Sequence, residues 1–150
     1  MTLSKAVVDI IREGRAFLFL GAGASRDSLH PKSIEPPNGQ QLAELIADKF
    51  LGHEFRDRSL AQVAELAISE CDLFTVQEFI ASIFREFNPA EFHKLLPKFV
   101  WRGIATTNYD LIVERAYDAV GGKALQNPVV FKKDGERIEE KLRSSKSLDF

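Results

Sequence analysis

The sequence contains very little cysteine and no long apolar run. Cys71 is the single cysteine among 150 residues, which excludes an internal disulfide framework and any cysteine-rich zinc module within the chain. No stretch approaches the roughly 20 consecutive apolar residues of a membrane-spanning helix. The N-terminus also lacks the apolar core of a secretory signal peptide, because Asp9, Arg12 and Glu13 interrupt its apolar residues.

An excess of charge of one sign is missing as well. The chain carries 20 basic and 22 acidic residues, mixed along its length, for a formal net charge of −2. A nucleic-acid-binding surface needs a clustered basic face, so the charge pattern gives no reason to expect a nucleic-acid partner. These absences together predict a soluble, cytoplasmic domain with neither a nucleic-acid nor a membrane partner.

Apolar periodicity predicts a chain in which helices outnumber strands. Residues at helical spacing indicate helices over 3–13, 42–51, 60–68, 75–87, 90–96 and 111–120. The apolar run at 16–20 has the pattern of a parallel strand that is buried on both faces, and 99–106 is a second strand. We also expect a third strand at 128–131 and the start of a fourth at 148–150.

This order of elements predicts an α/β fold. We expect a Rossmann-like parallel sheet with helices on both faces and a helical insertion at about residues 54–97. So few strands do not complete a doubly wound sheet, and residues 1–150 are therefore interpreted as the N-terminal portion of a longer domain. Four phenylalanines of the insertion are expected in the core, with a role at an interface as the alternative: Phe74, Phe79, Phe84 and Phe87.

The first strand ends in a glycine-rich segment, GAGAS at 21–25. Glycine lets backbone N–H groups approach a phosphate without an intervening Cβ, and the N-terminus of a following helix would favour a pyrophosphate. Ser25 could cap that helix or donate to a phosphate oxygen. A Rossmann fingerprint would require a third glycine where Asp27 and Ser28 stand, so a tight turn without any ligand stays open.

The second strand ends in TTNYD at 106–110. The amide of Asn108 offers a donor and an acceptor, which suits a ribose hydroxyl or a carboxamide. Helix capping alone would explain Asp110, but four polar side chains exceed what a cap requires. Because the carboxyl ends of parallel strands line the ligand crevice of an open α/β sheet, the two segments are expected to converge on a nucleotide pocket.

The two segments together resemble the sirtuin superfamily, in which a GAG-x-S loop and a T-x-N-x-D segment build the NAD site. The resemblance spans roughly residues 15–120 and includes the stretches 37–42 and 108–116. Deacetylating sirtuins carry a Pro-Asp-Phe-Arg stretch and a four-cysteine zinc module, and this sequence has neither. The chain is therefore most similar to the bacterial, zinc-free sirtuin-like NAD hydrolases that act as effectors of antiphage defence.

The resemblance implies NAD+ as substrate, nicotinamide and ADP-ribose as products, and no zinc or other metal. It implies that Asn108 is the catalytic residue, which contacts the nicotinamide ribose and positions a water, and that Asp110 holds the nicotinamide amide. The residues that it assigns to NAD+ binding are Gly21, Ala22, Gly23, Ser25, Thr107, Asn108 and Asp110.

One residue of the family pattern is missing, a histidine downstream of the asparagine that serves as general base. His30, His53 and His93 all precede Asn108; we expect His30 to be exposed, with a role in the pocket as the alternative, and His93 to be structural. The resemblance then implies that the natural protein continues past residue 150, with a partner domain or as a homo-oligomer. If 150 residues are the whole protein, nucleotide binding with little or no turnover is expected.

Two further functions stay open at this point. One is a non-catalytic module that senses NAD or an ADP-ribose-type nucleotide, or that promotes oligomerisation. The other is a deacetylase, which the absent zinc cysteines disfavour.

Overall fold

A computed structural model of the chain describes residues 3–130. The helices and strands follow in the order α1 (Lys5–Arg12), β1 (Phe17–Leu20), α2 (Gly39–Phe50), α3 (Leu60–Glu70), α4 (Leu73–Phe84), β2 (Gly103–Thr106) and α5 (Ile112–Val120). Short 3-10 helices lie at Ala22–Ser25, His53–Phe55, His93–Lys98 and Gly121–Lys123. The predicted α-helices are confirmed with shifts at their ends, except for the one expected at 90–96. A 3-10 helix at His93–Lys98 takes its place, and it includes Pro97 instead of ending before it.

Side-chain caps determine where the three central helices begin. The side chain of Asn38 accepts from the N–H of Gln41, and the Gln41 side chain accepts from the N–H of Asn38, which is a capping box. Ser59 and Gln62 form the same arrangement at α3. The side chain of Asp72 accepts from the N–H of Thr75 in the first turn of α4. These caps satisfy N–H groups that a helix start leaves without an intrahelical partner.

β1 and β2 form a two-stranded parallel sheet. Phe17 lies opposite Gly103 and Leu20 lies opposite Thr106. Parallel strands cannot be joined by a tight turn, and here α2, α3 and α4 make the crossover. The chain is thus a mixed helix and strand protein, whereas the Rossmann-like sheet is not confirmed. Residues 128–130 form no strand, so the third strand expected at 128–131 is not found, and 131 and 148–150 lie outside the described residues.

The expectation that β1 is buried on both faces is wrong. Phe17 and Phe19 are each 71% exposed, and they alternate with the half-buried Leu18 and Leu20. Side chains alternate between the two faces of a strand, so one face of the sheet is apolar and open. The ring of Phe17 lies over Gly103, where a Cβ would collide with it.

The core lies in the helical crossover rather than on the sheet. Ala43, Ala47 and Ala67 are fully buried and let α2 and α3 approach closely. The buried apolar cluster consists of Leu42, Ala43, Ile46, Ala47, Val63, Ala67, Val76, Ile80, Phe84, Phe87 and Ile112. Burial of apolar area drives folding, so the helical crossover stabilises the strands that it connects.

The four phenylalanines of the insertion do not share one environment. Phe84 and Phe87 are buried, and Phe79 packs against the core with its ring edge-to-face to Phe50. Phe74 is 71% exposed, so its expected place in the core is wrong. None of the helices within residues 3–130 combines the length and the apolar character needed to cross a bilayer.

A pair of isoleucines tests this position of the core. Ile46 is fully buried in α2, whereas Ile68 of α3 is 36% exposed. We expect Ile46→Ala to lower the free energy of unfolding by about 2–5 kcal/mol, because it removes buried methyl groups and leaves a cavity. The same change at Ile68 should cost about 1 kcal/mol or less. Urea denaturation followed by circular dichroism measures both, and equal losses would contradict the assignment of the core.

Candidate functional site

The glycine-rich segment 21–25, here called the glycine turn, is followed by a reversal of the chain. Residues 22–25 form a single 3-10 turn, so the expected α-helix behind the glycines is absent, and Ser25 ends this turn instead of capping a helix. The N–H of Ser28 donates to the carbonyl of Ser25 at 3.2 Å. Arg26 (φ −56°, ψ 147°) and Asp27 (φ 59°) have the conformation of a type II turn.

Gly21 and Gly23 have open space where a side chain would stand. A Cβ built at either position meets no atom within 4 Å, and neither residue has a positive φ. Neither the packing nor the backbone conformation therefore requires glycine at these two positions. A missing side chain does allow an external group to approach the backbone.

The second segment continues the sheet and then turns into α5. The N–H of Thr107 donates to the carbonyl of Leu20 at 3.2 Å. Thr106 Oγ1 accepts from the N–H of Asn108 at 3.0 Å, and Asp110 Oδ1 accepts from the N–H of Ile112 at 3.0 Å. Short polar side chains often bond to backbone two residues away in this manner. The Asn108 side chain thus projects from a backbone that is held at both ends.

The structure brings Ser25, Asn108 and Asp110 together, although 85 residues separate Ser25 from Asp110. Asn108 Nδ2 donates to Ser25 Oγ at 2.8 Å, and the Ser25 hydroxyl donates to Asp110 Oδ2. A carboxylate only accepts hydrogen bonds, so the serine hydrogen points to Asp110 and its lone pair faces Asn108. The three side chains form a chain of hydrogen bonds with one fixed direction.

This direction leaves the amide oxygen of Asn108 without a partner. Asn108 Oδ1 is buried and makes no hydrogen bond within the described residues. A buried polar atom without a partner costs free energy, and such atoms are uncommon in folded proteins. The site therefore offers one fixed acceptor at the meeting point of the two segments.

The direction of the hydrogen bonds also limits what the Ser25 hydroxyl can do. Its side chain is 5% exposed, and its only hydrogen is directed to Asp110. Donation to a phosphate would break that bond, so the present geometry gives Ser25 a positioning role. Its phosphate contact stays a prediction. Ala22 and Thr107 are exposed, and no hydrogen bond joins the Thr107 side chain to the three central residues.

Sequence reasoning missed how His93 acts at the site. The ring is 3% exposed; its Nδ1 accepts from the N–H of Ala90 at 2.9 Å, and its Nε2 contacts the carbonyl oxygen of Ala24 at 2.6 Å. His93 is structural, as expected, but it is attached to the glycine turn from a position 69 residues away. No local pattern could have indicated a contact over that separation.

The other two histidines lie in different surroundings. The expectation that His30 is exposed is wrong, because its side chain is 6% exposed, packs on the ring of Phe87 and faces Glu86 at 3.2 Å. His53 contacts Asp48 at 2.9 Å. The Arg56 guanidinium beside Asp48 holds the pKa of that carboxyl below its ordinary value.

None of the three histidines forms a hydrogen bond or an ion pair with Ser25, Asn108 or Asp110. Within residues 3–130, no group of three or more histidine, cysteine, aspartate or glutamate side chains is arranged to hold a metal ion. Behind the site, α5 buries Tyr117, and this burial raises the pKa of its phenol. The arrangement supplies hydrogen-bond acceptors and an open backbone, and it contains no free histidine base.

Two buried serines allow a matched test of the hydrogen-bond chain. Ser25→Ala leaves Asn108 Nδ2 and Asp110 Oδ2 without their partner, and we expect it to lower the free energy of unfolding by about 1–3 kcal/mol. Ser28 is 7% exposed and its hydroxyl has no partner in the described structure. Ser28→Ala should therefore change stability by less than about 0.5 kcal/mol. Thermal unfolding of both variants makes the comparison, and equal effects would argue against the chain of bonds.

The comparisons with known proteins do not extend this description. No protein-family model matches the sequence, and no curated protein matches it.

Proposed function

We propose that the glycine turn and the Asn108 segment form an NAD+ site, and that the protein cleaves NAD+ to nicotinamide and ADP-ribose. The observation that carries this proposal is the buried, unpartnered amide oxygen of Asn108. It stands where two strand ends meet, which is the usual ligand position in parallel sheets. Ser25 and Asp110 hold it in one orientation.

The chemistry of the reaction suits such a site. The bond between the ribose C1′ and the nicotinamide nitrogen breaks, and its electron pair leaves with nicotinamide, which becomes neutral. Water adds to C1′ and releases one proton. Positive charge develops on the ribose in between, so oriented oxygen atoms stabilise the transition state. In this proposal Asn108 Oδ1 accepts a hydrogen bond from a ribose hydroxyl or from the attacking water.

The glycine turn supports the diphosphate part of the proposal. Gly21 and Gly23 are exposed and have free space at the Cβ position, which lets phosphate oxygens reach the backbone. Arg26 follows directly, is exposed, and supplies a positive charge next to the turn. Because the segment is one 3-10 turn, this proposal does not depend on a helix dipole.

We extend the proposal to a role as an effector of bacterial antiphage defence. In that role, cleavage of NAD+ after infection would deplete the cofactor that the virus needs from its host. The support for this step is the resemblance of the two segments to zinc-free sirtuin-like NAD hydrolases.

A second candidate function is nucleotide binding without turnover. The absence of a free histidine at the site favours it. His93 uses both ring nitrogens for backbone contacts, and His30 and His53 bond to Glu86 and Asp48 instead. A water that attacks C1′ must lose a proton, and a positioned base accelerates that step. A chain with the acceptor but without the base would bind ADP-ribose and hydrolyse NAD+ slowly.

Replacement of Asn108 distinguishes the two functions. We expect Asn108→Ala to reduce NAD+ cleavage at least a hundredfold, because the oriented acceptor is lost, and to weaken ADP-ribose binding by about tenfold or less. The exposed Asn127 provides the control, and Asn127→Ala should behave as the unchanged protein. Chromatography of the products and calorimetry with ADP-ribose provide the two measurements.

The behaviour of the unchanged protein decides between the two functions. An unchanged protein that binds ADP-ribose but does not cleave NAD+ supports the binding module and removes the hydrolase. An unchanged protein that does neither contradicts both functions.

A valine in the glycine turn tests the diphosphate site. Gly23→Val places a branched side chain where phosphate must approach, and we expect ADP-ribose binding to fall below detection by calorimetry. The fold should persist because the Cβ of residue 23 meets no atom within 4 Å. Gly39→Val is the matched control, since Gly39 also has open space but begins α2. Unchanged affinity of Gly23→Val would remove the phosphate role of the turn.

A further inference from the structure

The glycine turn is fixed by a histidine that belongs to the helical crossover. His93 lies in the 3-10 helix before β2, and its ring packs against the ring of Phe92 with centroids 3.9 Å apart. One ring nitrogen contacts the backbone of Ala90 and the other contacts Ala24. The ring therefore bridges its own helix and the turn that follows β1.

The partners of the ring determine which nitrogen carries the hydrogen. The backbone N–H of Ala90 always donates, so Nδ1 of His93 accepts. The carbonyl of Ala24 only accepts, so Nε2 carries the hydrogen and donates it. The ring is neutral, is 3% exposed, and has no nitrogen left for substrate.

The turn needs this support because its own bonds are few. The N–H of Ala24 donates to the carbonyl of Gly21 at 2.8 Å, and the N–H of Arg26 reaches the carbonyl of Gly23 at 3.4 Å, which is long for such a bond. The exposed glycines contribute no side-chain contact. Asn108 and Asp110 hold the Ser25 end of the turn. Without a bond at Ala24, the preceding part of the turn would sample more conformations, and binding would then have to order it.

We propose that His93 is a positioning residue, which holds the Ala24 carbonyl and thereby presets the glycine turn for a diphosphate. This inference rests on the proposed NAD+ site. His93 itself touches no ligand. It acts through the backbone of the turn, so its loss should weaken binding of ADP-ribose even though the contacts around Asn108 remain.

Two amide substitutions distinguish the role of Nε2 from that of Nδ1. In His93→Gln the side-chain amide reaches the position of Nε2 and can still donate to Ala24. In His93→Asn the shorter side chain reaches the position of Nδ1, so it can accept from Ala90 but cannot reach Ala24. Both remove the aromatic ring and should lower the thermal midpoint by similar amounts. Calorimetry with ADP-ribose on the 150-residue chain provides the binding measurement.

We expect His93→Asn to weaken ADP-ribose binding by about tenfold and His93→Gln to retain affinity within about threefold. The rescue by glutamine is the result that a purely packing role would not produce. Equal weakening by both variants, unchanged binding in both, or the reverse order would each overturn the inference.

A measurement on the unchanged protein keeps the inference testable if the variants do not fold or if ADP-ribose does not bind. The ¹⁵N chemical shifts of the His93 imidazole must show a neutral ring with its hydrogen on Nε2. A ring whose only hydrogen is on Nδ1 would overturn the bond to Ala24, because Nε2 could then only accept. Where the variants fold, amide hydrogen exchange at Ala24 and Arg26 should be faster in His93→Asn than in His93→Gln, with no ligand present. Absence of ADP-ribose binding would then contradict the NAD+ site alone.

Discussion

The candidate site depends on one serine hydroxyl that joins two distant segments. Ser25 accepts from the amide of Asn108 and donates to the carboxylate of Asp110, and both bonds are made next to the carboxyl ends of the strands. Because a carboxylate cannot donate, Asp110 fixes the direction of the whole chain of bonds. The orientation of the Asn108 amide, with its oxygen buried and unpaired, is a consequence of that single constraint.

The two short strands alone do not explain how this geometry is kept. Their sheet has an open apolar face with Phe17 and Phe19, and the buried cluster lies in α2, α3 and α4 with the start of α5. The helical crossover also contacts the segment after β1: Leu29 exchanges backbone bonds with Asn88, and His93 donates to Ala24. The stable part of the molecule thus supports the site from outside the sheet.

Features that arise from local sequence could be predicted, and features that arise from long-range packing could not. The helices follow from apolar spacing, and the meeting of Ser25 with Asn108 follows from the rule that parallel strands end at one edge. The burial of His30 against Phe87 and the contact between His93 and Ala24 depend on how the crossover folds back. The exposure of Phe17 was missed because an apolar run indicates a strand but not how many elements cover it.

Three buried polar atoms lack partners within residues 3–130, and they are not equivalent. The hydroxyls of Ser28 and Tyr117 can rotate, so neither is held in one orientation. The Asn108 amide has no such freedom, because its nitrogen donates to Ser25 Oγ. A flip would place the amide oxygen against the lone pair of that hydroxyl, with no hydrogen between the two atoms. A fixed acceptor of this kind costs about 1–3 kcal/mol when it stays unpaired. A ligand hydroxyl that reaches this oxygen after a small shift of the surrounding side chains would recover that free energy, and this is the physical basis of our proposal that the site binds a polyhydroxylated substrate such as NAD+.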